Sequence, residues 1–225
     1  MVYLEAMAYI PFEHPQSFPG QAIPGMIKGF HAWREHARAA RREREPKTPT
    51  AMVIAGADLA VDPLTLFRAP PGSLYVVRSA APVVVPSGDG MRDQGLAAAA
   101  EFAIAILGVG DILVLGNRGA ALVEALIGHA DRIAALLGEN LRAPEWFTLC
   151  QEPLARALRP SIAKEERPRV LAQEMVRASI ENLMTYPIVV EAVMAGALGL
   201  HGWYLDETER TIYRLDPEAD AFVPI

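Results

Sequence analysis

Two short stretches hold the residues best placed to do chemistry. Residues 111–126, DILVLGNRGAALVEAL, run from an apolar segment into Asn117, Arg118, Gly119 and Ala120. Residues 51–63, AMVIAGADLAVDP, run in the same way into Gly56, Asp58, Ala60 and Asp62. Arg118 beside the amide of Asn117, just before a helix, is the equipment of a small-anion site. Free backbone N–H groups and the helix dipole favour negative charge at such a point. Asp58 offers a carboxylate that can pair with Arg118. On spacing alone, both stretches read first as ordinary strand-to-loop junctions.

The elements that must position these residues follow from the pattern. The run before Gly116 is rich in Val, Leu and Ile, as in a strand buried on both faces. Past Gly119, the apolar residues Ala120, Leu122, Val123, Leu126 and Ile127 take helical spacing. A strand that feeds a helix through a short turn presents functional groups at its carboxyl end. Further strands are expected over 51–56 and 73–85. Helices are expected over 25–45, 96–107, 119–138 and 144–158, and over 161–195, where Pro187 interrupts. Residues 203–213 predict a hairpin with a polar turn at 206–210. Strand, crossover, strand, helix, strand, helix is the order of a parallel sheet with right-handed crossovers. Residues 1–24 carry Pro11, Pro15, Pro19 and Pro24 and predict an extended arm, followed by one domain over 25–225. The arm is too apolar for a solvated tail, so it is expected to lie across a surface, its own or that of a second subunit.

Composition narrows the classes. The 225 residues are 52% hydrophobic and 21% charged, enough for one large α/β core. A net charge of −6 with no basic patch argues against nucleic acid. The run Arg38, Arg41, Arg42 and Arg44 is interleaved with Glu43 and Glu45, the pattern of a solvated helix end. The single cysteine, Cys150, excludes an internal disulfide and a Cys-rich metal site. The amino terminus has no basic flank before its apolar residues, and every apolar run is broken well short of a membrane span. A soluble, cytoplasmic protein is expected. His14, His31, His36 and His129 share no ligand spacing, and no phosphate loop or Ser–His–Asp signature is visible.

Five pieces in order resemble the β-class carbonic anhydrases: residues 55–63, 70–81, 99–121 and 181–216, and the ending FVPI at 222–225. The resemblance covers about residues 25 to 225. It implies an α/β fold with a mostly parallel sheet of four strands plus an edge strand, flanked by helices. It also implies an intimate dimer in which amino-terminal segments reach over the partner, and a structural role for His201. Active members end the first strand in Cys-x-Asp-x-Arg and carry, at the second junction, a His followed three residues later by a Cys. Those thiolates and that imidazole hold Zn²⁺, which lowers the pKa of bound water. In this chain the corresponding positions are Gly56, Asp58, Ala60, Asn117 and Ala120; only Asp58 is kept. Gly and Ala have no donor atom, and an amide is a poor zinc ligand. The resemblance therefore implies the scaffold without its metal, and no cofactor is expected.

Three functions suit that scaffold. The first is a non-catalytic carbonic anhydrase-like protein, a dimeric scaffold or regulatory partner, as a homodimer, a higher oligomer or a hetero-oligomer with an active paralogue. The second is a module that binds or senses a small anion such as bicarbonate through Arg118 and Asn117. In that pocket, Asp58 and Arg118 would otherwise neutralise each other and close the vestigial space. The third is CO₂/bicarbonate interconversion with metal held in an unforeseen way. A metal-free enzyme lacks a visible nucleophile–base pair.

Overall fold

The computed structural model describes residues 23–39, 48–80, 82–88, 94–128 and 144–225. The chain divides into two compact units, Met1–Glu45 and Pro46–Ile225. The division thus falls after the first helix rather than before it.

The described part of the first unit is helix α1, Ile23–Ala39. Pro24 sits in its first turn, where a missing N–H breaks no helical bond, so the helix opens two residues earlier than expected. Ile23, Met26, Ile27 and Phe30 recur at helical spacing and are exposed. The arm over 1–22 and the basic run from residue 40 lie outside the described residues.

The second unit is built on one six-stranded sheet. Its strands are β1 (Ala51–Gly56), β2 (Leu74–Ser79), β3 (Asp111–Asn117), β4 (Gly199–Asp206), β5 (Thr211–Asp216) and β6 (Ala221–Pro224). They lie in the order β2-β1-β3-β4-β5-β6. The first four are parallel, and the last two are antiparallel. The expected single edge strand is therefore a pair: the β4–β5 hairpin is followed by a strand formed from the FVPI ending. The strand expected over 73–85 stops at Ser79, and residues 83–86 run on outside the sheet.

Side chains alternate across the sheet. Met52, Ile54, Ile112 and Val114 face one apolar cluster with Val176, Leu183 and Val189. Val53, Ala55, Leu113, Leu115 and Leu205 face another with Leu59 and Phe67. Short helix α2 (Pro63–Leu66) follows β1, with Asp62 Oδ1 accepting the Leu64 N–H at 2.9 Å. Helix α3 (Gln94–Phe102) ends in a π-helical turn, Ala103–Leu107. Helix α4 spans 121–128, and the remainder of the helix expected to 138 lies outside the described residues. Helix α5 is Pro144–Ala157. The helical stretch expected over 161–195 breaks at Pro187 as expected, into α6 (Arg167–Leu183) and α7 (Pro187–Met194), and it begins only at Arg167.

Helix α6 packs directly on the sheet. A Cβ at Gly116 would stand 2.6 Å from Val176 Cγ2, and one at Gly202 would stand 2.9 Å from Val176 Cγ1. Only glycine admits that approach. The same helix and the turn that follows it fasten the segment after β2. Ser179 Oγ accepts from Val84 N at 3.1 Å, Asn182 Nδ2 donates to Val84 O at 2.7 Å, and Tyr186 OH donates to Val85 O at 2.7 Å. These bonds satisfy backbone groups that no strand pairs, and they set Pro82 beside the end of β1.

Candidate functional site

The register brings the carboxyl ends of β1, β3 and β4 together: Ala55 lies opposite Leu115, and Asn117 opposite Leu205. Gly56, Asn117 and Asp206 therefore end adjacent strands. The loop after β1 is braced from β2. Arg78 Nη1 donates to Leu59 O at 3.1 Å, and its Nη2 to Val61 O at 3.3 Å. Buried Leu59 anchors the same loop. This holds Asp58 in place, and its Oδ2 accepts the Ala121 N–H at 2.5 Å. A carboxylate from one junction thus caps the helix that starts at the other.

Asn117 is 2% exposed. Its Nδ2 donates to Glu207 Oε1 at 2.8 Å, and the Gly119 N–H donates to Glu207 Oε2 at 3.0 Å. Glu207 is therefore received by two donors from the turn after β3. Asn117 Oδ1 is buried with no hydrogen-bond partner among the described residues. Next to it, Gly56 is closely surrounded: a Cβ there would lie 2.8 Å from Asp58 Oδ1, 3.6 Å from Asn117 Oδ1 and 3.8 Å from Pro82 Cδ.

Arg118 is committed elsewhere. Its Nη1 donates to Asp206 Oδ2 at 3.3 Å and its Nη2 to Glu165 O at 3.3 Å. Asp206, 1% exposed, also accepts from Thr208 N at 2.9 Å, Glu209 N at 3.0 Å and Tyr204 OH at 3.3 Å. Burial pushes its carboxyl upward, but the bonds from Glu209 N, Arg118 and Thr208 N outweigh this and hold it below its ordinary value. Burial likewise pushes the Tyr204 phenol well above its ordinary range.

The Asp58–Arg118 pair expected from the sequence does not form. Arg118 continues β3 alongside β4, its N–H bonding Leu205 O at 3.2 Å, and its guanidinium meets the desolvated Asp206 there. Asp58 is already spent on a helix N–H. The two groups expected to receive a small anion, Arg118 and Asn117, are both engaged by the chain's own carboxylates. Ala120 is buried among Val83, Val123 and Leu126, and Ala60 is exposed. His201 bonds Asp111 Oδ1 at 2.7 Å at the amino ends of β3 and β4, away from the site. Cys150 is fully buried, and burial pushes its thiol up to about 12.

Asp206, Glu207 and Arg78 are the site residues that the sequence did not single out. The first two open the segment DETER, legible only as a polar turn. Their role depends on the β3–β4 register.

Zinc does not fit this donor set. Thiolate and imidazole are absent from positions 56, 117 and 120, and the one carboxylate kept already caps a helix. Among the described residues, no three His, Cys, Asp or Glu side chains group to share an ion.

Four parallel strands with a site at three adjacent carboxyl ends define an α/β protein of the carbonic anhydrase family. The chain belongs to that family: its profile, described as "Carbonic anhydrase", matches residues 51–211. A carbonic anhydrase of Pseudomonas aeruginosa is 32% identical over 210 residues, which cover 89% of this chain and 90% of that protein. A carbonic anhydrase of Helicobacter pylori is 25% identical over 201 residues, covering 87% and 88%. The fold matches the β-carbonic anhydrase CcaA with a TM-score of 0.78 at 23% identity, over 90% of this chain and 99% of that one. It matches a tetrameric β-carbonic anhydrase of Sordaria macrospora with a TM-score of 0.72 at 22% identity, over 86% and 96%. Among the described residues, no helix is long and apolar enough to cross a membrane.

Proposed function

We propose that this chain is a non-catalytic member of the carbonic anhydrase family, acting as an oligomeric scaffold or regulatory partner without zinc-dependent CO₂ hydration. One observation carries the proposal: Gly56, Asn117 and Ala120 stand at the three positions where the family resemblance calls for sulfur and imidazole donors. Hydration needs a metal-bound hydroxide at near-neutral pH, and that requires a closed set of protein ligands with one open position. The engagement of Asn117 with Glu207 supports the same conclusion, because the amide is held by a carboxylate rather than turned to a metal. Oligomer formation is supported by the tetrameric state named for the Sordaria relative.

The test is a stopped-flow CO₂ hydration assay on tag-free protein, with metal content measured by mass spectrometry on the same sample. The expected result is no stoichiometric zinc and no rate above buffer. Bound zinc with a genuine rate would overturn the proposal and favour the activity that the relatives' names carry. Analytical ultracentrifugation of the same sample should show a dimer or larger species.

A further inference from the structure

We infer that Glu207 is a built-in occupant of a carboxylate-binding position, a tethered anion that closes the turn after β3 to small oxyanions from solution. The inference deepens the reading above and rests on it in one respect: an Asn117 amide engaged with a metal would not be free to donate to Glu207.

Two donors define the position, and the fold fixes both without help from Glu207. Asn117 closes the β3–β4 ladder opposite Leu205, and its side chain is buried. The N–H of Gly119 follows in the turn before α4. Each donor meets a different oxygen of one carboxylate, Asn117 Nδ2 reaching Oε1 at 2.8 Å and Gly119 N reaching Oε2 at 3.0 Å. Two N–H groups that each take one oxygen suit any planar carboxylate, and equally formate, acetate and bicarbonate. The carboxyl group also rests on glycine: a Cβ at Gly119 would lie 3.5 Å from both Glu207 oxygens and 3.6 Å from Cδ. Turning the Asn117 amide over would set its oxygen against Glu207 Oε1 with no proton between them, so the donor must face Glu207. A buried donor without an acceptor is costly, and the position therefore calls for an acceptor from the chain or from solvent.

The hairpin turn supplies that acceptor from close by. Asp206 Oδ1 takes the N–H groups of Thr208 and Glu209, which folds the backbone around Glu207. Arg118 in turn holds Asp206 Oδ2. Glu207 thus arrives on a short tether, at an effective concentration of about millimolar or above, which a free anion must exceed to compete. An anion approaching beside Glu207 would also meet its charge and that of Asp206, while the Arg118 guanidinium is already turned to Asp206 and Glu165 O. The chain carries its own ligand where a small oxyanion would otherwise sit.

The experiment is a thermal melt of the full chain in about 50 mM sodium formate against NaCl of equal ionic strength, with the NMR line width of carbon-13 formate recorded on the same samples. Glu207→Ala clears the position, Glu207→Gln keeps it filled, and Glu207→Ala combined with Asn117→Ala removes a donor as well. We expect no formate-specific shift or broadening in the wild type or in Glu207→Gln. Glu207→Ala should melt below the wild type in NaCl, recover a few degrees in formate and broaden the formate signal. The double variant should show neither recovery nor broadening. If Glu207→Ala does not melt cooperatively, Glu207→Ser clears the carboxylate in its place. Equal stabilisation of the wild type and the cleared variant would show that Glu207 closes nothing. No recovery in the cleared variant would show that the two donors make no carboxylate position, and either result overturns the inference. An undiminished response in the double variant would place formate elsewhere and overturn it too. Stoichiometric zinc with CO₂ hydration in the wild type would instead overturn the reading beneath the inference, whereas the formate comparison overturns the inference alone.

Discussion

Replacing Asp206 with alanine removes the acceptor on which the site's hairpin is hung. Asp206 is 1% exposed and receives Arg118 Nη1, Thr208 N, Glu209 N and Tyr204 OH. Breaking one side of a buried ion pair costs about 3–5 kcal/mol, because the other side is left desolvated. Here Arg118 is 30% exposed and keeps its bond to Glu165 O, so its share is softened by water. The stranded N–H groups of Thr208 and Glu209 add cost, at about 1–3 kcal/mol for a fully buried group. A loss of about 3 kcal/mol is expected, a fall in melting temperature of about 6–12 °C for a domain of this size. Urea unfolding followed by circular dichroism reads it directly, with Asp206→Asn as the control that keeps one oxygen for the hairpin. Asn should cost roughly half as much as Ala. A loss below about 1 kcal/mol for Asp206→Ala would refute the claim that this carboxylate organises the carboxyl end of the sheet.

Three further outcomes follow from the same contacts. Since the Asp206 carboxyl is held below its ordinary value, its stabilisation is full above the unfolded pKa, about 3.9, and is lost as pH falls through the lower folded value. The stability gap between wild type and Asp206→Asn should therefore stay flat from neutral pH down to about 5 and narrow below about 4. Gly116→Ala should destabilise by about 1–3 kcal/mol, because its Cβ would stand 2.6 Å from Val176 Cγ2. Adding Val176→Ala should recover part of that loss in the same urea titration. Finally, the combined variant Gly56→Cys, Asn117→His, Ala120→Cys should acquire one zinc per chain by mass spectrometry, because it supplies the donors that the family resemblance calls for.

The parallel core was legible because β1 and the middle of β3, residues 112–116, are apolar and buried, as in strands covered on both faces. That Gly56, Asn117 and Ala120 carry no soft ligand in any conformation is plain from the sequence. What the sequence hid depends on register. Arg118 and Asp58 stand at facing junctions, which suggested a pair, yet the β3–β4 ladder carries Arg118 to Asp206 instead. Glu207 lies in a hairpin turn whose direction is set by two antiparallel strands. Nothing local says that it reaches back to Asn117 and Gly119. The sixth strand was missed for a similar reason: Ala221–Pro224 is four residues long and becomes a strand only by pairing with β5.

The most direct test of the central claim is a zinc titration of the wild-type protein against a chromophoric chelator of micromolar affinity. With Gly56, Asn117 and Ala120 at the ligand positions, the chelator should fill as though the protein were absent. Withdrawal of one equivalent of zinc per chain would show that the chain holds this metal after all, and would contradict the account.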